Sequence, residues 1–146
     1  DGKVIIWAVY RYDIQEIERT LGEKYGKESV ATYYGDTKDS IRQSIVDRFM
    51  DADDPLRFFV GNPKTGGYGL TLTSSHTVVY YSNDYSLEVR LQSEDRAHRI
   101  GQTSKVTYVD LMAEHTIDEK IVKALNNKID LASQVMGEDP KKILFE

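Results

Sequence analysis

Five short apolar runs, set apart by stretches with helical spacing, constrain the fold of this chain more than any other feature. "KVIIWAVY" is rich in β-branched residues, and "DIQEIERTL" after it places Ile14, Ile17 and Leu21 three and four residues apart, so a strand leads into an amphipathic helix. The alternation repeats with "SVATYY" and a helix whose Ile41, Ile45, Val46 and Phe49 share one face and whose start is marked by Thr37, Asp39 and Ser40. "RFFVGN", "TVVYYSN" and "VTYVDLM" supply a third, fourth and fifth strand, with a helix across about 87–96 between the last two. A final helix carries Ile117, Ile121, Leu125, Ile129 and Ala132 as one stripe. Strands that are apolar throughout and separated by helices predict a parallel sheet covered on both faces, an α/β fold.

The size suits one such unit. With 146 residues, 40% hydrophobic content and 3 prolines, and with no repeat or linker-like tract, residues 1–146 are expected to form a single domain. The tail 137–146, "GEDPKKILFE", loses periodicity and is expected to pack loosely. The abrupt start, just before a strand, gives the expectation of a piece cut from a longer polypeptide. No run reaches the roughly 18 apolar residues of a membrane span, and the N-terminus lacks secretory flanks, so an intracellular setting is expected. The absence of cysteine excludes disulfides and thiolate metal sites, and His76, His98 and His115 are unevenly spaced, so no metal site is expected in this chain.

A net charge of −5 argues against holding nucleic acid by bulk electrostatics. Positive charge is local, with Arg90, Arg96, Arg99 and Lys105 set against Glu94 and Asp95.

Three loops are expected at the carboxyl ends of the strands, where parallel sheets bind ligands. In "GNPKTGGYGLTLTSSHT", glycines permit close backbone approach, and amide and hydroxyl donors suit phosphate oxygens without net positive charge. A glycine-rich connection with no ligand fits equally. Gly61 to Gly66 has the opening spacing of a nucleotide-binding P-loop, but Gly67 and Tyr68 stand where Lys and Ser/Thr must be, and that reading is rejected. In "YYGDTKDSIRQSIVDRF", Gly35 and Thr37 precede a helix N-terminus that would favour an anion; ordinary capping is the alternative. In "QSEDRAHRIGQ", Gln92, Arg96 and Arg99 follow i, i+4, i+7 spacing and would share one helical face. Convergent guanidiniums suit a departing phosphoryl group, although an Asp95–Arg99 surface pair accounts for the same residues.

In this order, these segments and "VTYVDLMAEHTIDEKIVKAL" closely resemble the C-terminal RecA-like lobe of the Swi/Snf-type (chromatin-remodeller-type) ATPases of helicase superfamily two. The resemblance covers nearly the whole chain, and "DRAHRIGQ" behind a "GGxG" loop is its most specific part. It implies half of a DNA-stimulated ATPase that moves on duplex DNA, with ATP and Mg²⁺ held mainly by an N-terminal RecA-like lobe of the same polypeptide. Arg96 and Arg99 then match arginine fingers, and Gln92 the leading glutamine of their motif. Lys64, Thr65, Gly66 and Gly67 match the strand-contacting loop, Gly35 and Thr37 a second backbone contact, and Arg11 joins the DNA-binding set. Gly67, Gly69 and Thr71 are carried to the nucleotide side.

Three positions depart from the family's pattern: "DYSLEV" replaces an aromatic-asparagine-proline stretch, Thr71 an asparagine, and Val9 a glutamine. A strand-separating helicase lobe and a non-catalytic RecA-like module that binds nucleic acid or a partner are the alternatives. Compact spacing favours a bacterial or viral source and a cytoplasmic setting, with the nucleus if the source is eukaryotic.

Overall fold

The computed structural model describes residues 2–65 and 70–136. Five strands, β1 (Lys3–Trp7), β2 (Val30–Tyr33), β3 (Phe58–Gly61), β4 (Ser75–Tyr80) and β5 (Thr107–Asp110), form one sheet in the order β2-β3-β1-β4-β5. All four pairings are parallel, with Ile5 opposite Phe59 on one side and Val78 on the other. The helices are α1 (Arg11–Tyr25), α2 (Asp39–Met50), α3 (Leu87–Asp95) and α4 (Ile117–Met136), with a 3₁₀ turn at Lys27–Ser29. The chain builds β2 and β3 on one side of β1, then crosses to β4 and β5 on the other, a RecA-like parallel sheet with helices on both faces.

The near-continuous apolar character of the strands has a simple cause, since each face meets its own cover. Ile5, Trp7, Tyr33, Phe59, Val78 and Tyr80 point to one face, where Ile45 and Phe49 of α2 close over them together with Leu56, Leu72 and Ala97. On the other face Ala8 and Val60, flanked by Ile6, Val30 and Phe58, meet Ile14, Ile17 and Leu21 of α1. Trp7, Phe49, Phe59 and Tyr80 are almost fully buried, and each such large apolar side chain contributes roughly 1.5–3 kcal/mol.

Local signals set the element ends. α1 stops at Gly26, whose φ of +96° suits glycine and whose N–H donates to Gly22 O at 3.0 Å. α3 starts at Ser86, whose hydroxyl oxygen accepts the Val89 N–H at 3.3 Å. Gly61 serves packing: a Cβ there would stand 2.8 Å from Tyr33 O and 2.9 Å from the Trp7 ring.

Strand bounds differ from the sequence expectation by one or two residues, and two helical stripes are only partly buried. Ile41 in α2 is exposed although Ile45 and Phe49 are buried. In α4, which packs against α3, Ile121 and Leu125 are buried while Ile117 is exposed. The tail 137–146 lies outside the described residues.

Candidate nucleotide and nucleic-acid interface

Because every strand runs the same way, the loops after β1, β2, β3 and β4 emerge on one edge of the sheet. Arg11, Gly35, Thr37, Lys64 and Thr65 lie in or next to them. Arg11 is well exposed and ion-pairs with Asp36 of the β2–α2 loop at 3.0 Å. Gly35 is exposed, with open space where a Cβ would stand. Thr37 differs from expectation. It is buried, and its hydroxyl donates to Thr32 O at 3.1 Å and accepts the Tyr34 N–H at 3.0 Å, so it shapes the loop from within. Arg42 reinforces that turn by donating to Thr37 O and Tyr34 O. The residue preceding α2 is Lys38, and no side chain caps the helix, so Thr37, Asp39 and Ser40 do not perform the capping their order implied.

At the mouth of the glycine loop, the ends of three strands are stitched together. Asn62 donates from its amide to Val9 O at 3.0 Å, and Val9 N–H donates to the Ser82 hydroxyl at 2.8 Å. Val9, the residue in place of the family's glutamine, thus acts here through its backbone. Lys64 forms an ion pair with Asp84 at 3.0 Å. Asp84 also accepts the Ser86 N–H at 2.8 Å, and that bond, followed by the Lys64 ammonium, holds its carboxyl below the ordinary range. Thr65 N–H donates to Asn62 O at 3.0 Å, closing a turn. Gly66, Gly67 and Gly69 lie outside the described residues.

The arginine stretch is placed differently from the expectation. It follows α3, which leads from the end of β4 toward the start of β5, and it seats on residues 70–75, which lead into the first residue of β4. The shared helical face also ends early: α3 stops at Asp95, and the chain turns through Arg96 to Gly101, where φ is +101°. Contacts replace helical spacing in bringing the groups together. Leu72 N–H donates to Arg96 O at 2.9 Å, and Arg99 donates to Leu70 O at 3.2 Å and to the Thr71 hydroxyl at 3.3 Å. The Asp95–Arg99 pair is long, at 3.9 Å. Gln92, on α3, donates to Glu88 at 3.4 Å. Burial lowers the pKa of Arg96, and the neighbouring Arg99 charge adds to the effect against a partial offset from Asp95. The turn thus carries two guanidiniums three residues apart, and two cationic forks on one turn suit an anion.

Behind this turn sits a polar hub that the sequence reading missed. Arg90 stacks 3.6 Å over the Tyr80 ring, donates to Asp110 at 2.6 and 3.2 Å and to Asn83 at 2.7 Å, and approaches Glu94 at 3.6 Å. Its side chain is only 10% exposed, so Arg90 belongs to the interior and adds little to the positive surface with which it was grouped. The Tyr80 and Ser93 hydroxyls meet at 2.7 Å, and Tyr108 donates to Glu94 O at 3.1 Å, tying β4, α3 and β5 together. No spacing signal pairs residue 90 with residue 110; only the adjacency of β4 and β5 does so.

The helicase conserved C-terminal domain model matches residues 1–101. The chain is 32% identical over 144 residues to the ATP-dependent helicase fft2 of Schizosaccharomyces pombe, covering 97% of this chain and 11% of that protein. It is 38% identical over 104 residues to the helicase SWR1 of Saccharomyces cerevisiae, covering 71% of this chain and 7% of that protein. The solved C-terminal part of the Fun30 ATPase domain superposes with a TM-score of 0.76 at 27% identity, covering 85% of this chain and 39% of that one. The chain therefore spans about a tenth or less of these curated relatives. Both are yeast proteins, which does not support the expected bacterial or viral source.

Proposed function

The chain belongs to the helicase conserved C-terminal domain family, as a RecA-like lobe of the Swi/Snf type, and from that premise we propose that it is the second half of a DNA-stimulated ATPase motor that translocates on duplex DNA. In this reading an N-terminal RecA-like lobe of the same polypeptide holds ATP and Mg²⁺, and Arg96 and Arg99 enter the γ-phosphate site from this side. The donor chemistry fits an anionic phosphate. Arginine keeps its charge even when its pKa is lowered, and its planar fork can grip two phosphoryl oxygens at once. This reading assigns the Mg²⁺ ligands to the other lobe.

As water attacks the γ-phosphorus and its bond to the bridging oxygen breaks, negative charge spreads over the phosphoryl and leaving oxygens. Guanidiniums fixed beforehand stabilise that charge more than they stabilise bound ATP. Lys64, Thr65, Arg11 and Gly35, with Gly66 of the glycine loop, form the DNA backbone contact; Thr37 serves it by shaping its loop. Gly67, Gly69 and Thr71 are assigned to nucleotide binding, and Gln92 to supporting the arginine motif from α3. The relatives are fungal, and a nuclear, intracellular setting completes the proposal.

The observation that carries this reading is the seating of the arginine turn on residues 70–75, where Leu72 N–H donates to Arg96 O and Arg99 is anchored by backbone and hydroxyl oxygens more than by Asp95. Arg99→Ala in the full-length polypeptide should lower the DNA-stimulated kcat by on the order of 10³-fold while leaving the KM for ATP nearly unchanged. Arg99→Lys should rescue poorly, because an ammonium does not reproduce the fork. A long, half-buried Asp95 pair alone would be worth a few tenths of a kcal/mol of stability with activity near normal. An active Arg99→Ala enzyme ends the finger assignment.

A further inference from the structure

Gln102 closes the arginine motif and has no role in the reading above, yet few side chains in the molecule are more fully engaged. Its Nε2 lies 3.1 Å from Thr73 O, 2.9 Å from Ser75 O and 3.0 Å from Ala97 O. Its Oε1 accepts the Ser104 N–H at 3.2 Å, and its own N–H donates to Arg99 O at 3.0 Å. One primary amide carries two hydrogens, so three carbonyls share two donors, and the group sits in a nest of acceptors that only a donor satisfies. We propose that Gln102 is a positioning residue: its amide clamps the turn 96–102 onto the segment 70–75 and so sets where Arg96 and Arg99 present their guanidiniums. The proposal rests on the arginine reading given above.

The rest of the seam explains why this clamp matters. It includes the Leu72 N–H donated to Arg96 O and the Arg99 bonds to Leu70 O and Thr71. Both Arg99 bonds come from Nη1, so the guanidinium keeps this anchor while Nη2 is left to meet phosphate. The Leu72 and Gln102 bonds add to it by holding the backbone of the turn at Arg96 O and Ala97 O. Gly101 allows the geometry: at φ +101° it turns the chain so that Gln102 points back into the seam, and open space surrounds its Cβ position, so backbone conformation is what calls for glycine there. Spacing in the sequence could not have found this partner set, because Thr73 and Ser75 lie 29 and 27 residues away.

Two variants of the full-length polypeptide test the clamp. Gln102→Met keeps the length and removes the donor; Gln102→Glu puts a carboxylate against three carbonyl oxygens. Three quantities are read: hydrogen exchange at the Leu72 amide, melting temperature, and DNA-stimulated kcat and KM for ATP. In both variants Leu72 exchange should rise about tenfold, as for one weakened hydrogen bond. The kcat should fall by on the order of 100-fold, the cost of displacing a catalytic group by about 1 Å, with the KM for ATP within about twofold of wild type. At a temperature well below both melting points, the Gln102→Glu rate relative to wild type should recover on acidification, as the carboxyl protonates and again offers a donor; a role in stability alone would leave that ratio near one throughout. If Gln102→Glu does not fold, Gln102→Met decides alone. Unchanged Leu72 exchange overturns the proposal, and so does faster exchange with kcat unaffected, or a loss accounted for by melting temperature alone. An active Arg99→Ala enzyme would instead remove the finger reading, while Leu72 exchange would still report on the clamp.

Discussion

Replacing Asp110 with asparagine tests whether the hub behind the arginine turn holds β4, α3 and β5 together. The change removes one negative charge from a guanidinium that is 10% exposed, bonded to Asp110 at 2.6 and 3.2 Å. Breaking a fully buried ion pair from one side costs about 3–5 kcal/mol. Two features lower that figure here. Asp110 is 23% exposed, and Glu94, 3.6 Å from Arg90, still balances part of the charge. An asparagine oxygen also keeps one hydrogen bond, so the expected loss is about 2 kcal/mol. For a domain of this size that corresponds to a fall of about 4–8 °C in melting temperature.

Urea denaturation followed by fluorescence of Trp7, the single tryptophan and almost fully buried, measures the loss directly. The pH dependence adds a second check. Burial alone would raise the pKa of Asp110, but the hydrogen bonds from Arg90 and then Asn83 outweigh it and the pKa is lowered. A carboxyl depressed in the folded state contributes stability in full above its unfolded value of about 3.9 and loses it as pH falls through the folded value. The gap between wild type and Asp110→Asn should therefore stay constant from about pH 7 to pH 5 and narrow below about pH 4. A gap under about 0.3 kcal/mol at neutral pH, well below the lower range for a lost hydrogen bond, would refute the hub as a load on stability.

Gly61→Ala should destabilise by about 2–3 kcal/mol in the same assay, because the added methyl meets a backbone carbonyl and a buried indole that have no room to yield; a neutral substitution would contradict that packing. Asp84→Asn should release Lys64 and raise affinity for duplex DNA of any sequence by about 1.5- to 5-fold, the equivalent of an exposed ion pair worth about 0.2–1 kcal/mol. Lys64→Ala should weaken binding on all sequences alike, and a fluorescence-anisotropy titration in which Asp84→Asn binds no better than wild type would separate Lys64 from the DNA path.

The arrangement of apolar residues within each element was legible in the sequence, because Ile14, Ile17 and Leu21 share a helix face whatever that helix packs on. From such patterns came the parallel sheet, its two covered faces and the order of strands and helices along the chain. The glycine loop and the arginine pair could be singled out for the same reason, since glycine and arginine carry distinct chemistry wherever they stand. Pairings between elements were a different matter. Arg90 and Arg96 look alike in the sequence, yet Arg90 is locked over Tyr80 against Asp110 while Arg96 stands in the turn that seats on residues 70–75. Lys64 reads as a free cation until the loop after β4 brings Asp84 within 3.0 Å. Thr37 reads as a cap or an anion donor until its hydroxyl is found closing its own loop. Helical spacing put Arg99 on the face of Gln92, but α3 ends at Asp95, and Leu70 and Thr71 hold Arg99 instead. Periodicity encodes direction only within one element; which side chains meet across elements depends on strand order and crossovers, and those exist only once the whole sheet has formed.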